Sequence, residues 1–257
     1  MNIKIQLIAL YTLICREVSR IFRIWVQSLL GPIVNVFLYF LIFGSVVGKR
    51  IGSIDNIPYL EFIAPALIML STINSTYSNV SSSFFLTRFQ KNIEEMLVSP
   101  MSNFVIVLGF CVSSMIRGII VALLLNIIIY LFFNIHVSIN VYLIIDILLA
   151  TALFSLIGFV NGLKAKNFDD IMIIPSFILT PLGYLGGIFF TIQMLPEKWQ
   201  TIAKLNPLMY IMDTFRMHAL ERVATHAMAT YEIIIGLMMF LVFYILTEMK
   251  RHVLLES

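Results

Sequence analysis

The sequence predicts an all-α integral membrane protein with about six transmembrane helices, organised as one unit over residues 1–257. Of the 257 residues 60% are hydrophobic and 12% charged, whereas a soluble domain runs nearer about 45–50% and 25%. Mean hydropathy is +0.97. The apolar residues also gather into stretches at 28–48, 59–81, 104–133, 140–163, 170–190 and 229–249. A helix of about 20 residues crosses the hydrocarbon, so each stretch suffices. No water-soluble core could enclose this much apolar surface, and lipid must be the solvent for most of it.

Ahead of the first span, residues 1–27 lack the apolar block and cleavage site of a signal peptide. Thr12, Arg16, Ser19, Arg20, Arg23 and Gln27 recur at helical steps, with Leu7, Ile8, Tyr11, Ile14, Val18, Phe22 and Trp25 between them. A basic stripe opposite an oily face favours a helix lying in the membrane interface over one simply packed in water. The second span is the least apolar, carrying Ser71, Thr72, Asn74, Ser75, Thr76, Ser78 and Asn79. These residues either bond to neighbouring helices or line a wet path, packing being the commoner role. In the fifth, Pro175 and Pro181 precede Gly183-Tyr184-Leu185-Gly186-Gly187, which predicts a kinked or broken helix.

Orientation follows from Lys and Arg. With the N-terminus inside, ten fall on the cytoplasmic side (Lys4, Arg16, Arg20, Arg23, Arg88, Lys91, Lys164, Lys166, Lys250, Arg251) and six outside (Lys49, Arg50, Lys198, Lys204, Arg216, Arg222). Both termini are therefore expected in the cytoplasm.

The cytoplasmic connection 84–103 reads as one amphipathic helix ended by Ser99-Pro100. Phe85, Phe89, Ile93, Met96 and Leu97 form its apolar face, and Arg88, Lys91, Glu94 and Glu95 its charged side. Such a helix suits the groove of a soluble partner, or serves only as a solvated connection. The external stretch 191–228 is expected to hold short re-entrant helices, with Ile202, Leu205, Leu208 and Met212 at helical spacing. Asp213 and Arg216 there are three apart and close enough to pair. Gly44/Gly48, Gly158/Gly162 and Gly183/Gly187 are spaced for close helix approach, within the chain or between two copies.

Two ionisable residues fall inside spans, Arg117 and Asp146, at different depths and with no chain of acids and histidines around them. That pattern disfavours an ion-coupled carrier. Cys15, Cys111 and four scattered histidines give neither a disulfide framework nor metal-ligand spacing. A net charge of +3 without an aromatic-laced basic patch gives no support for nucleic-acid binding. No G-x-x-x-x-G-K-[ST] occurs, since Gly48-Lys49 is followed by Arg50 and preceded by Phe43 at the glycine position. G-x-S-x-G and H-E-x-x-H are absent as well. The chain is not expected to be an enzyme.

Four places in order resemble the membrane subunit of type-2 ABC transporters, the permease group that includes polysaccharide and nodulation-factor exporters. Arg16-Glu17, Arg20 and Trp25 running into Gly31-Pro32 resemble the family's connecting helix and first span. Glu94-Glu95-Met96-Leu97-Val98-Ser99-Pro100-Met101 looks like its coupling helix. Pro181 to Phe190 with Leu195-Pro196, and Leu205-Asn206-Pro207-Leu208-Met209-Tyr210 with Asp213 and Arg216, are similar to its fifth span and external segment. The resemblance implies a bacterial inner-membrane permease, as a homodimer or paired with a homologue, working with two copies of a cytoplasmic ATPase. It implies that ATP and Mg bind that partner and that no cofactor binds this chain. Arg88, Glu94, Glu95, Ser99 and Pro100 would form the ATPase-coupling element, and Asn206, Pro207, Asp213 and Arg216 the external motif. Asn35, Tyr39, Asn74 and Tyr184 are candidates for the substrate route, because polar tips on apolar spans face protein or water. The cargo would be amphipathic, or of glycan or lipid type. A membrane scaffold or assembly factor that transports nothing is the alternative.

Overall fold

The computed structural model describes residues 3–43, 48–224 and 226–255, with the side chains of Lys49, Ile51, Leu97 and residues 251–255 outside the description. Helix α1 (Ile3–Arg23) opens the fold, and the chain then turns by 79° into the segment Val26–Ile42. That segment begins with a π-wound turn at Val26–Leu30 and continues as α2 (Gly31–Ile42). The bend has a visible cause. Ser28 Oγ lies 2.9 Å from the carbonyl of Ile21 and 3.0 Å from that of Ile24, supplying a donor where the backbone ladder changes pitch. Leu13, Glu17 and Ile21 form the buried stripe of α1, while Ile3, Leu7, Ile8 and Tyr11 are exposed.

Short helix α3 (Gly48–Ile51) leads into the one departure from all-α architecture among the described residues, a two-stranded antiparallel ladder. Strand β1 (Ser53–Ile54) pairs with β2 (Ile57–Pro58), and Asp55 and Asn56 between them have φ of 50° and 61°. Two successive left-handed residues make the tight hairpin that matches strand twist. Gly44 of the first predicted glycine pair lies outside the described residues, and Gly48 starts α3.

Helix α4 (Tyr59–Phe89) is the axis of the molecule, packed against α6 (Asn103–Phe133), α7 (Val141–Lys164) and α11 (Pro207–Ala219). Its 31 residues span about 46 Å at 1.5 Å per residue. It runs well beyond the predicted end at 81 because Ser81, Ser83 and Thr87 find protein rather than lipid around them. Thr72, Ser75, Thr76 and Asn79 are likewise buried, the packing alternative, whereas Asn74 is only half-buried. Glycine permits the closest contact. A Cβ on Gly158 or Gly162 would stand 2.7 Å from the Tyr77 carbonyl oxygen or 2.8 Å from that of Ser81. That pair works within the chain. The Gly183/Gly187 pair does not form a helix face: Gly183 meets Leu70, and Gly187 lies beyond the helix with φ of 76°.

The predicted single helix over 84–98 is two elements. Helix α4 continues to Phe89, Lys91 takes a left-handed φ of 60°, and α5 (Asn92–Val98) starts afresh. Phe85 and Phe89 therefore belong to the end of α4, where both rings pack on Phe168. The fifth stretch is α8 (Phe168–Ile174), a π turn at Pro175–Leu179 and α9 (Thr180–Leu185). The predicted interruption takes the form of rewinding, with Thr180 Oγ1 donating to the Pro175 carbonyl at 2.9 Å. Helix α10 (Glu197–Lys204) is separate from α11, so the expected register fails: Leu208 and Met212 are buried, while Ile202 and Leu205 are exposed. Helix α12 (Ala227–Leu255) is the last element among the described residues.

Four helical segments among the described residues are long and apolar enough to cross a membrane: α6, α7, Phe168–Leu185 and Ala227–Lys250. The bent N-terminal pair makes a fifth. Helix α4 is long enough but carries its polar half into the protein core.

Candidate functional site

At one end of the molecule, α5 hangs from α4 by the Lys91 turn. Ile93 and Met96 pack onto the cluster formed by Leu13, Phe84 and Val107, and Glu94 and Glu95 face outward. The turn after α5 is held from α1: Gln6 Nε2 donates to the Pro100 carbonyl, and its Oε1 accepts from the Ser102 amide at 3.0 Å. Ser99 Oγ donates to the Met96 carbonyl at 2.6 Å, closing the last turn of α5. Arg88 points elsewhere. Its Nη1 donates to the carbonyls of Gly162 (2.9 Å), Leu163 and Ala165 (3.4 Å), the unsatisfied acceptors at the C-terminus of α7.

A polar junction joins α1, α4 and α6 behind this surface. Glu17, only 3% exposed, accepts from Arg16 (3.0 Å), Arg20 (3.1 Å) and Ser83. Arg20 reaches on to Asn79 Oδ1 at 2.9 Å, and Arg117 Nη1 donates to the same oxygen at 3.2 Å. Arg117 Nη2 donates to the Ser28 carbonyl at 3.2 Å, and Asn79 Nδ2 to Ser114 Oγ at 2.9 Å. Arg20 thus leaves the predicted exposed basic stripe. The sequence placed Arg117 in a span but missed Glu17 and Asn79 as its neighbourhood. The four-residue step of Glu17 between Leu13 and Ile21 was the available signal.

Of the route candidates, Tyr39 and Tyr184 meet through their hydroxyls at 2.9 Å, beside a stack of Phe43 on Phe189 with centroids 4.8 Å apart. Asn35 is exposed one turn before Tyr39. No hydrogen bond among the described residues joins Asn74 to this group.

At the opposite end from α5, Asn206 caps α11 by accepting from the Leu208 amide at 3.0 Å, and Pro207 occupies the first turn. Asn206 Nδ2 also donates to the Leu182 carbonyl at 2.7 Å, tying α11 to α9. Arg216 is 4% exposed, and its Nε donates to the Phe62 carbonyl at 3.1 Å. Its Nη2 donates to the Gly187 carbonyl, and the guanidinium lies 3.9 Å above the Phe62 ring. Asp213 stands 3.7 Å away. The expected pair exists, but backbone carbonyls hold the cation. Asp146 does not pair with Arg117; it contacts His218 Nδ1 at 2.6 Å and accepts from the Tyr231 hydroxyl at 2.6 Å. An acid–histidine contact the sequence did not indicate therefore joins α7, α11 and α12.

The sequence pattern of the ABC-2 type transporter family matches residues 8–220, from α1 to the end of α11. The chain belongs to the ABC-2 type transporter family. The inner membrane transport permease YadH of Escherichia coli (strain K12) is 44% identical over 209 residues, covering 81% of this chain and 82% of the relative. Nodulation protein J of Rhizobium leguminosarum bv. viciae is 24% identical over 190 residues, covering 74% and 73%. This ABC-2 chain is a membrane permease of an ABC transporter, built of several apolar helices. Helix α5, the polar junction and the Arg216 hub all lie inside the matched region.

Proposed function

We propose that this ABC-2 chain forms the passage of an ATP-driven exporter in a bacterial inner membrane, with six spans and both termini in the cytoplasm. Two copies pair with each other and with two copies of a cytoplasmic ATPase, which binds ATP and Mg. The observation that carries this reading is α5, an outward-facing acidic helix clasped by α1 and set at the foot of the most enclosed helix.

On this reading Glu94 and Glu95 meet the ATPase, while Ser99 and Pro100 fix the end of the coupling element. Arg88 acts through the α4–α7 contact instead of touching the partner. Closure of the ATPase dimer presses on α5. The push passes through the Lys91 turn into α4, a rigid rod whose first turns are gripped by Arg216 at the far end. Helix α2, α4 and the 168–185 segment border the route, with the Tyr39–Tyr184 contact a closed point along it. The Phe189 ring beside both tyrosines suits a cargo that is amphipathic, or of glycan or lipid type.

Co-purification with a nucleotide-binding subunit tests the partnership. A Glu94→Ala, Glu95→Ala double variant is expected to assemble yet lose ATP-driven export. Full export by that variant overturns the coupling assignment, and stable isolation of the chain with no ATPase returns the scaffold reading.

A further inference from the structure

A cavity of about 490 Å³ opens between the end of the 168–185 segment and the two short helices α10 and α11. Its polar wall carries Asp55, Lys204, Asp213 and Arg216, together with Gln193 and His226. Among the described residues the side chains of Asp55, Lys204, Gln193 and His226 make no hydrogen bond. Asp213 approaches Arg216 only to 3.7 Å, beyond hydrogen-bond reach. Phe190, Ile192, Met209 and Met217 add apolar surface, and Thr191 and Tyr210 add hydroxyl-bearing side chains.

We infer that this cavity binds the zwitterionic head group of an amphiphile, an amine and a phosphate carried on one molecule. Among its acidic and basic side chains two carboxylates, Asp55 and Asp213, oppose two cations, Lys204 and Arg216, with His226 beside them, so the wall offers a simple ion both signs of charge at once. A lone anion would face Asp55 and Asp213, and a lone cation would face Lys204 and Arg216. A ligand bearing both charges satisfies both sets, and like-charge contacts exclude the others. The apolar lining receives the first carbons of the tail. The volume falls in the range of small-molecule sites, about 300–1,000 Å³. The binding claim stands on this geometry; only its place on the outer face rests on the orientation proposed above.

The test uses the intact permease in neutral detergent, delipidated and then offered phosphatidylethanolamine and phosphatidylglycerol in equal amounts, with retained lipid counted by native mass spectrometry. Retention of the zwitterionic lipid is expected to exceed that of the anionic one about fivefold. Lys204→Gln and Asp213→Asn, both on partly or fully exposed side chains, are each expected to abolish the preference. Glycerophosphoethanolamine, the water-soluble head group alone, is expected to compete. Equal retention, preference for the anionic lipid, an unchanged preference in either variant, or failure of the free head group to compete overturns the proposal. Loss of selectivity with ATPase co-purification intact removes this site and leaves the permease reading standing. Selectivity in a chain that never binds an ATPase does the reverse.

Discussion

Arg216 persists in the interior because backbone carbonyls are aimed at it, and Arg117 because Asn79 Oδ1 and the Ser28 carbonyl accept from it. Arg216 uses its planar fork to reach Phe62 and Gly187 at once, which a compact ammonium cannot do. Arg216→Lys should therefore cost about 1.5–3 kcal/mol, the worth of one charge-assisted hydrogen bond. A thermal melt in detergent checks this, and an unchanged midpoint contradicts it. The sequence displayed Arg216 and its neighbour Asp213, but its true partners are main-chain atoms 154 and 29 residues away, which no side-chain pattern encodes. Tyr39 and Tyr184 differ, because as polar tips on apolar stretches both were legible as separate route candidates, and only the fold brings them into contact. Their contact should give a coupling of about 0.5–1.5 kcal/mol in a Tyr39→Phe, Tyr184→Phe double-mutant cycle. Strictly additive effects would show that the hydroxyls do not interact.

At the scale of elements, length and hydropathy located the apolar stretches, and local chemistry misplaced several of their ends. Helix α4 outruns its apolar stretch because Gly158 and Gly162 bring α7 against it and replace lipid with backbone. Gly158→Val would drive a branched side chain into the Tyr77 carbonyl and Val80. The expected cost is at least about 1–3 kcal/mol, seen as reduced folded yield by size-exclusion chromatography. A wild-type profile would refute the close approach. The division between α4 and α5 was illegible because Lys91 is a helix former by composition and turns left-handed only in context. Lys91→Gly should leave the fold and coupling intact, whereas Lys91→Val should cost about 1–2 kcal/mol and lower ATPase stimulation. Equal behaviour of the two variants would mean that the turn is not strained.

Across the whole molecule, one enclosed helix, α4, joins the acidic helix α5 at one end to the Arg216 hub at the other. The residues that make these links had to be found in three dimensions. Glu17 and Asn79 gather Arg20 and Arg117 at the junction of α1, α4 and α6, so displacement of α1 should be felt at the bend near Ser28. The acidic surface of α5 was legible as half of an amphipathic pattern. Its clasp was not, since Gln6 lies 94 residues from Pro100.

The central claim, that an ATPase pushes on α5 from the cell interior, is tested most directly by labelling a Glu94→Cys variant after Cys15 is replaced by alanine. A membrane-impermeant maleimide should modify position 94 in inverted inner-membrane vesicles and not in intact spheroplasts, and bound ATPase subunit should protect it. Modification in spheroplasts would put α5 on the wrong side of the bilayer and contradict the account.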